Sequence, residues 1–468
     1  KENILSKKIL ILCDMFPPAF APRMGYLCKY MKKAGWEPVV VTEYINENTF
    51  AFLKEVCDVT YVDFYPYKNR WIKKLAWVAT LTADCLFGYK ERRMAKAAAR
   101  KLSQGGFGCV LCSTYRTFPL PAAYKVAKEF RLPLVADHRD IIEQYAGTEY
   151  IASKMGRIPW LNRLITTLFT RRLLNERNKI LPKADCITTV STWHVDTLKR
   201  YNGNVRLIFN GYDPELFYPE QIKTSEFVLS YTGRLLSFAI RDPRPLFEAI
   251  GRLHTEGVIT PADFRVKWYM DSYSQQLVSG EAERFGLLGY MDFYPYVEAS
   301  QVPSILNNSS ILLQLANTAS QSGPKGIMTT KLFEAMAVEK PMLCVRSDEA
   351  CLEAAIREAN AGASARTAQE AYDFIKYYFE RWKTDGYTSV SVNKEVVKRY
   401  SRKEQAAQFM DLFMELQKKG DEHGKPDLGT DGSMARPGDR TVIALRTKQR
   451  HRRADRNRRG MLPARRGL

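Results

Sequence analysis

Lys8-Ile9-Leu10-Ile11-Leu12-Cys13-Asp14-Met15-Phe16-Pro17-Pro18, then Arg23-Met24-Gly25, then Gly35-Trp36-Glu37-Pro38-Val39-Val40-Val41-Thr42, is the stretch that decides how this chain folds. Two apolar runs flank a proline-bearing loop and an amphipathic segment over 25–34. A strand, a phosphate-sized loop, a helix and a second strand within about 35 residues make half of a nucleotide-binding unit. The same alternation continues outward. Strands are predicted at 9–13, 38–42, 57–62, 109–114, 133–137, 186–191 and 205–209, each bounded by polar, glycine or proline punctuation. Helical periodicity fills gaps such as 122–130. Such alternation builds a parallel sheet with crossover helices.

After Pro219 the pattern begins again. Strands are predicted at 227–232, 264–270, 291–297, 311–315 and 341–345, with helices near 244–254, 331–338 and 349–359. The fold class is therefore α/β, with two Rossmann-like domains, 1–218 and 219–400, facing a cleft. A helix over 401–420 follows, opened by a capping box at Ser401-x-x-Glu404. The remaining 421–468 form an arginine-rich tail without apolar periodicity, expected to be disordered. A length of 468 residues suits two domains of roughly 200 each.

Formal charge is +20, of which the tail, with 13 Lys/Arg against 6 Asp/Glu, supplies +7. Such an excess favours anionic partners: nucleotide diphosphates, acidic lipid or nucleic acid. The tail reads either as an arm for nucleic acid or membrane, or as a segment foreign to the lysine-rich body; the second is preferred. No apolar run is long enough to span a bilayer, and the basic-then-apolar start reads as a first strand rather than a secretory segment. A soluble cytoplasmic enzyme is expected. The nine cysteines are scattered, which suits buried thiols of a reducing compartment; Cys109 and Cys112 have no second pair at zinc-ligand spacing.

Two segments carry basic amphipathic patterns. Trp71, Leu75, Val78 and Cys85 recur at helical spacing near Arg70, Lys73, Lys74, Arg92 and Arg93. Trp160, Leu161, Leu164, Ile165 and Leu168 do so near Arg157, Arg163, Arg171 and Arg172. Burial in the core and contact with an anionic membrane surface are equal alternatives for both.

Four further passages carry chemistry. Pro133-Leu134-Val135-Ala136-Asp137-His138-Arg139-Asp140 places four polar groups at one strand end, which should line the cleft because burying them is costly. Ala184-Asp185-Cys186-Ile187-Thr188-Thr189-Val190-Ser191 leads to Val205-Arg206-Leu207-Ile208-Phe209-Asn210-Gly211-Tyr212-Asp213, where Asn-Gly suits a positive-φ turn into a linker. Ser230-Tyr231-Thr232-Gly233-Arg234 leads to Ile240-Arg241-Asp242-Pro243 at a helix start. Thr329-Thr330-Lys331-Leu332-Phe333-Glu334-Ala335-Met336-Ala337 is followed by Lys340-Pro341.

In order and spacing, from residue 8 to about 415, these passages resemble the retaining family-4 glycosyltransferases of GT-B fold, in particular a subgroup with a DFRD-like element. The chain departs by carrying Ala19-Phe20-Ala21-Pro22 in place of loop glycines, and Gly326 where the family often has a second glutamate. The resemblance implies transfer of a sugar, with retention, from a nucleotide-diphosphate sugar to a glycan or lipid-linked glycan acceptor in polysaccharide, lipopolysaccharide or capsule synthesis. It implies that Glu334 binds the donor ribose, and that Lys331 with Thr329, Thr330 and Gly233 meets the phosphates. Arg241, with Arg234 less central, would neutralise the leaving diphosphate. Asp137, His138, Arg139 and Asp140 would orient the acceptor, whose proton passes to the leaving phosphate. The C-terminal helix is expected to cross back to the first domain. No Asp-x-Asp motif and no helix-spaced histidine pair is present, so metal independence is expected, with no cofactor besides the donor substrate. Alternatives are a sugar-nucleotide epimerase or phosphorylase of the same fold, a catalytically silent relative, or a nucleic-acid-binding protein acting through the tail.

Overall fold

The computed structural model describes residues 5–423 apart from 145–158, 236, 239–240, 317–327 and 346–349. Gly326, Arg157 and residues 424–468 of the arginine-rich tail therefore lie outside the described residues. So do the side chains of Arg70, Lys73, Lys74, Val78, Cys85, Leu161 and Ile165.

Seven strands form the first sheet: β1 Lys8–Cys13, β2 Glu37–Glu43, β3 Asp58–Val62, β4 Phe107–Thr114, β5 Leu134–His138, β6 Cys186–Thr189 and β7 Val205–Leu207. Their order is β3-β2-β1-β4-β5-β6-β7, and every pairing is parallel. The run Ile9–Cys13 is wholly buried because β1 sits centrally with helices over both faces, the setting that demands continuous rather than alternating apolar residues. Six strands form the second sheet: β8 Phe227–Thr232, β9 Phe264–Tyr269, β10 Met291–Tyr294, β11 Ile311–Leu315, β12 Met342–Val345 and β13 Gly362–Ala365, in the order β10-β9-β8-β11-β12-β13. Strand direction of travel across each sheet reverses between β1 and β4, and between β8 and β11. Ligands of doubly wound sheets sit at the carboxyl ends beside such a reversal.

Two differences from the sequence reading have local causes. Strand β13, Gly-Ala-Ser-Ala, escapes the reading because it has no apolar or branched run; it is held by its parallel pairing to β12. Strand β10 stops at Tyr294 rather than 297, since Pro295 has no N–H for a ladder.

The helix Arg402–His423 returns to the first sheet. Ala406, Phe409, Leu412, Phe413 and Leu416 share a core with Ile9, Ile11, Met31 and Trp36. Ser401 Oγ accepts from the Glu404 N–H at 3.1 Å, capping it. Outgoing and returning chains pair where they pass: Tyr212 N–H donates to Tyr400 O (3.1 Å) and Arg402 N–H donates to Tyr212 O (2.8 Å). Gly211 lies in this crossing without the positive φ that the Asn-Gly pattern predicts. Glycine is needed there for a different reason: a Cβ would overlap Tyr400 O and lie 2.7 Å from its carbonyl carbon. Gly211→Ala should therefore cost about 1–3 kcal/mol by overpacking, read as a lower denaturation midpoint in urea.

Candidate functional site

On the first-sheet side the site is built on Arg23, in the first turn of the helix Pro22–Lys33. Arg23 is 4% exposed and all five of its N–H groups are engaged. Nε and Nη2 reach the two carboxylate oxygens of Asp137 at 3.1 and 2.9 Å. Nη2 also donates to Ile208 O (3.0 Å), while Nη1 donates to Phe209 O (2.9 Å) and Asn210 Oδ1 (3.2 Å). Asp137 further accepts from Ser113 Oγ (2.8 Å) and Thr188 Oγ1 (2.9 Å). Burial pushes its pKa up, but the Arg23 charge and these hydrogen bonds outweigh burial and hold it below the ordinary carboxylate range.

This corrects the expectation that all four groups of the Asp137–Asp140 stretch face the cleft. Asp137 and His138 are completely buried, as the last two residues of a strand flanked by β4 and β6. Asp137 is stable there because Arg23 neutralises it. Both ring nitrogens of His138 are without hydrogen-bond partners among the described residues, and burial, then the Arg177 charge, lowers its pKa to about 3, so the ring is neutral. Arg139 and Asp140, just beyond the strand, do face the cleft, and Arg139 Nη2 pairs with Asp14 at 2.6 Å.

On the second-sheet side Lys331 and Glu334 project from the helix Thr330–Ala337. Lys331 Nζ lies 5.6 Å from the Tyr231 ring centre and against Gly233, where a Cβ would overlap it. Gly233 also has φ +144°, which side-chain-bearing residues rarely adopt. Burial, reinforced by the Arg241 charge and partly opposed by Glu334, lowers the Lys331 pKa to about 8. No ion pair within 4 Å joins Lys331 to any described carboxylate, Glu334 included. Burial raises Glu334 to about 7, opposed by Arg402 and Lys331. Thr329, the residue before the helix, has a buried hydroxyl without a partner among the described residues. Arg241 Nη1 donates to the Arg234 carbonyl, which also accepts from Tyr231 Oη (2.8 Å). The Arg234 side chain points elsewhere, largely exposed and 3.7 Å from Asp271.

Between these walls lies a cavity of about 270 Å³. Met15, Phe20, Pro22, Arg23, Tyr115, Arg139, Asp140, Val190, His194 and Asn210 line it from the first side, and Met328 and Thr330 from the second. Arg402, first residue of the returning helix, completes it. Thr330 is the donor-side residue from the sequence reading that reaches this cavity; Gly233, Arg241, Lys331 and Glu334 are not among its lining. Arg402 is 2% exposed, its Nε has no partner among the described residues, and Nη1 donates to Gln405 (3.1 Å) and Asn210 (3.4 Å). Arg23 stands in the quoted motif with no role assigned to it; Tyr115 and Arg402 also meet partners remote in sequence, Asp14 and Asn210, while His194 lines the cavity with a local partner, Thr189. Among the described residues no group of three or more His, Cys, Asp or Glu is placed to hold a metal ion.

Lys331 thus carries its charge at a cost to the fold. Its pKa lies below the ordinary 10.5, so the penalty is full below about pH 8 and disappears as pH rises toward 10.5. Lys331→Met should raise stability at pH 7 on the order of 1 kcal/mol, with the gain shrinking across that window. Denaturant melts at pH 7 and pH 10 test this.

No family model matches this chain, and no curated protein matches it. Solved structures do. A glycosyltransferase from Rickettsia africae is similar at TM-score 0.58 and 12% identity, over 88% of this chain and 98% of that one. The Anabaena protein HepE, in complex with UDP and glucose, is similar at TM-score 0.55 and 15% identity, over 87% and 99%. Sucrose-phosphate synthase from Thermosynechococcus elongatus is similar at TM-score 0.54 and 14% identity, over 88% and 99%. The likeness spans both sheets: the fold is GT-B.

Proposed function

We propose that the chain is a retaining glycosyltransferase of the family-4 type, moving a sugar from a nucleotide-diphosphate sugar to a glycan or lipid-linked glycan acceptor in surface-polysaccharide synthesis. The observation that carries the reading is the half-buried Lys331, which has no carboxylate within ion-pair distance among the described residues. After burial, the Arg241 charge is the next cause that lowers the Lys331 pKa, and the Glu334 charge only partly opposes it. Two converging cations beside the orphaned Thr329 hydroxyl and a helix start make a receptor for a dianion. A diphosphate matches it in charge and size. Since HepE is described in complex with UDP, a uridine nucleotide is the first donor to test.

In this reading Lys331 and Arg241 stabilise the diphosphate as the glycosidic bond breaks, the moment at which its charge grows. The backbone at Thr329 and Thr330 adds amide donors, and Gly233 leaves room for the Lys331 amine. Glu334 accepts hydrogen bonds from the ribose, for which it must be ionised. Arg139 and Asp140 orient the acceptor hydroxyl at the cavity wall, and its proton passes to the leaving phosphate. Asp137 and His138 act at one remove, Asp137 by positioning Arg23. No step calls on a metal ion or on a cofactor other than the donor.

Two outcomes follow. Arg241→Ala and Lys331→Ala should fold normally and each lose turnover on the order of 100-fold, more than they lose in binding; wild-type kcat in both would refute the leaving-group role. Affinity for the donor should also peak between pH 7 and 8. Above about 8 free Lys331 loses its proton, and below about 7 Glu334 gains one, so binding weakens on both sides. Calorimetric titration with a nucleotide sugar reads this cleanly, because its diphosphate diester does not itself titrate there. Glu334→Gln should weaken binding across the range and remove the acid limb, leaving the alkaline limb in place.

A further inference from the structure

The helices Arg70–Phe87 and Pro159–Ile180 are built inside out. On the first, Trp71 is 74% and Leu75 71% exposed, and Ile72, Trp77, Leu86 and Phe87 are exposed with them, while the polar Thr80 is buried. On the second, Trp160, Leu164 and Leu168 are exposed and Thr166 is 3% exposed. A helix packing its apolar stripe into a core shows the reverse. The even alternatives of the sequence reading are thereby decided for these side chains: they do not face the core.

The charges around them are mostly positive; Glu91, on the adjoining helix, lies near Asp84 and Glu176. Within Arg70–Phe87 the only acidic residue is Asp84, and within Pro159–Ile180 it is Glu176, which pairs with Arg172 at 2.9 Å. Arg163 and Arg171 stand exposed on the stripe that carries Leu164 and Leu168, and Arg92, Arg93 and Lys96 stand exposed on the adjoining helix Tyr89–Leu102. The two apolar helices meet: Arg172 Nη2 donates to the Asp84 carbonyl at 3.3 Å. No described helix is long and apolar enough to cross a membrane. Exposed tryptophans and leucines, interleaved with arginines and nearly free of carboxylates, suit a helix lying in the plane of an anionic bilayer, aromatic rings at headgroup depth and cations against lipid phosphate.

We infer that these two helices form a docking surface for an anionic lipid bilayer. The surface is coupled to the cavity: Thr117 Oγ1 donates to Leu173 O in the second helix at 3.0 Å, two residues along the chain from cavity-lining Tyr115. A lipid-linked acceptor is therefore presented from the side on which the chain docks. That last step rests on the proposed glycosyl transfer; the docking itself does not.

The test is flotation of the full chain with vesicles of phosphatidylcholine alone or mixed with phosphatidylglycerol, beside light scattering over a range of protein concentrations. The wild type should float with the mixed vesicles and stay behind with the neutral ones. Trp71→Ser/Leu75→Ser/Trp160→Ser should abolish flotation without lowering the melting temperature, since those side chains touch solvent. Arg163→Ser/Arg171→Ser should weaken it on the order of 30-fold, and added salt should do the same. Equal flotation of wild type and the apolar variant overturns the inference. So does a concentration-dependent dimer that the same substitutions dissolve, which would assign the surface to a second copy. Turnover on a water-soluble acceptor should be unchanged in both variants, so loss of docking and failure of the proposed activity are read separately.

Discussion

The Arg23–Asp137 pair is the constraint on which the rest of the first domain and the crossing depend. A buried ion pair gains little over apolar packing, but breaking one costs about 3–5 kcal/mol because a charge is left stranded. Here the stranding would spread. Arg23 is the shared donor to β5 and to three consecutive groups at 208–210, and Asp137 is the shared acceptor for β4 and β6 through Ser113 and Thr188. One guanidinium thus fixes the helix after β1, three strand ends and the start of the interdomain linker. The linker is pinned again just beyond, where buried Asp213 takes the Lys29 ammonium at 2.6 Å and the Tyr30 hydroxyl. The crossing of Tyr212 with Tyr400–Arg402 is built on that fixed base.

The two walls of the cleft are charged by opposite logics. On the first side three buried or half-buried arginines are answered by carboxylates: Arg23 by Asp137, Arg139 by Asp14, Arg177 by Glu143 at 2.5 Å. On the second side Lys331 has no answering carboxylate within ion-pair distance among the described residues, and Glu334 is held near neutrality. Answered charges give rigidity and shape; an unanswered one stores free energy that a ligand of opposite sign releases on binding. In the proposed reading, the first wall positions and the second wall binds an anion.

What was legible in the sequence follows the range of the interactions involved. Strands such as Phe227–Thr232 and Ile311–Leu315 declare themselves because their signal is local, and both halves of the α/β pattern are read correctly from it. Strand Gly362–Ala365 has no such signal; its existence depends on a neighbour in the sheet. Asp137 was misplaced at the cleft because the cost of burying it was reckoned without Arg23, 114 residues away. Gly211 was assigned a turn conformation from its neighbour Asn210, whereas its requirement comes from Tyr400. The Lys331–Glu334 helix is recognisable by resemblance, but that its lysine is half-buried with no described carboxylate in ion-pair range is a fact of three dimensions. The tryptophan stripes show the same limit: periodicity locates a face, and only the burial of Thr80 and Thr166 says which way it points.

The Lys331 charge, with no carboxylate in ion-pair range among the described residues, also links binding to protonation. A diphosphate placed against the ammonium would raise its pKa back from about 8, so that at mildly alkaline pH the complex takes up a proton that the free protein has lost. Above about pH 8 a lysine beside Gly233 can shed its charge in the ligand-free state and regain it when an anion binds. A guanidinium in the Lys331 position would have no such relief, and the glycine that admits a slender ammonium would not admit its planar fork.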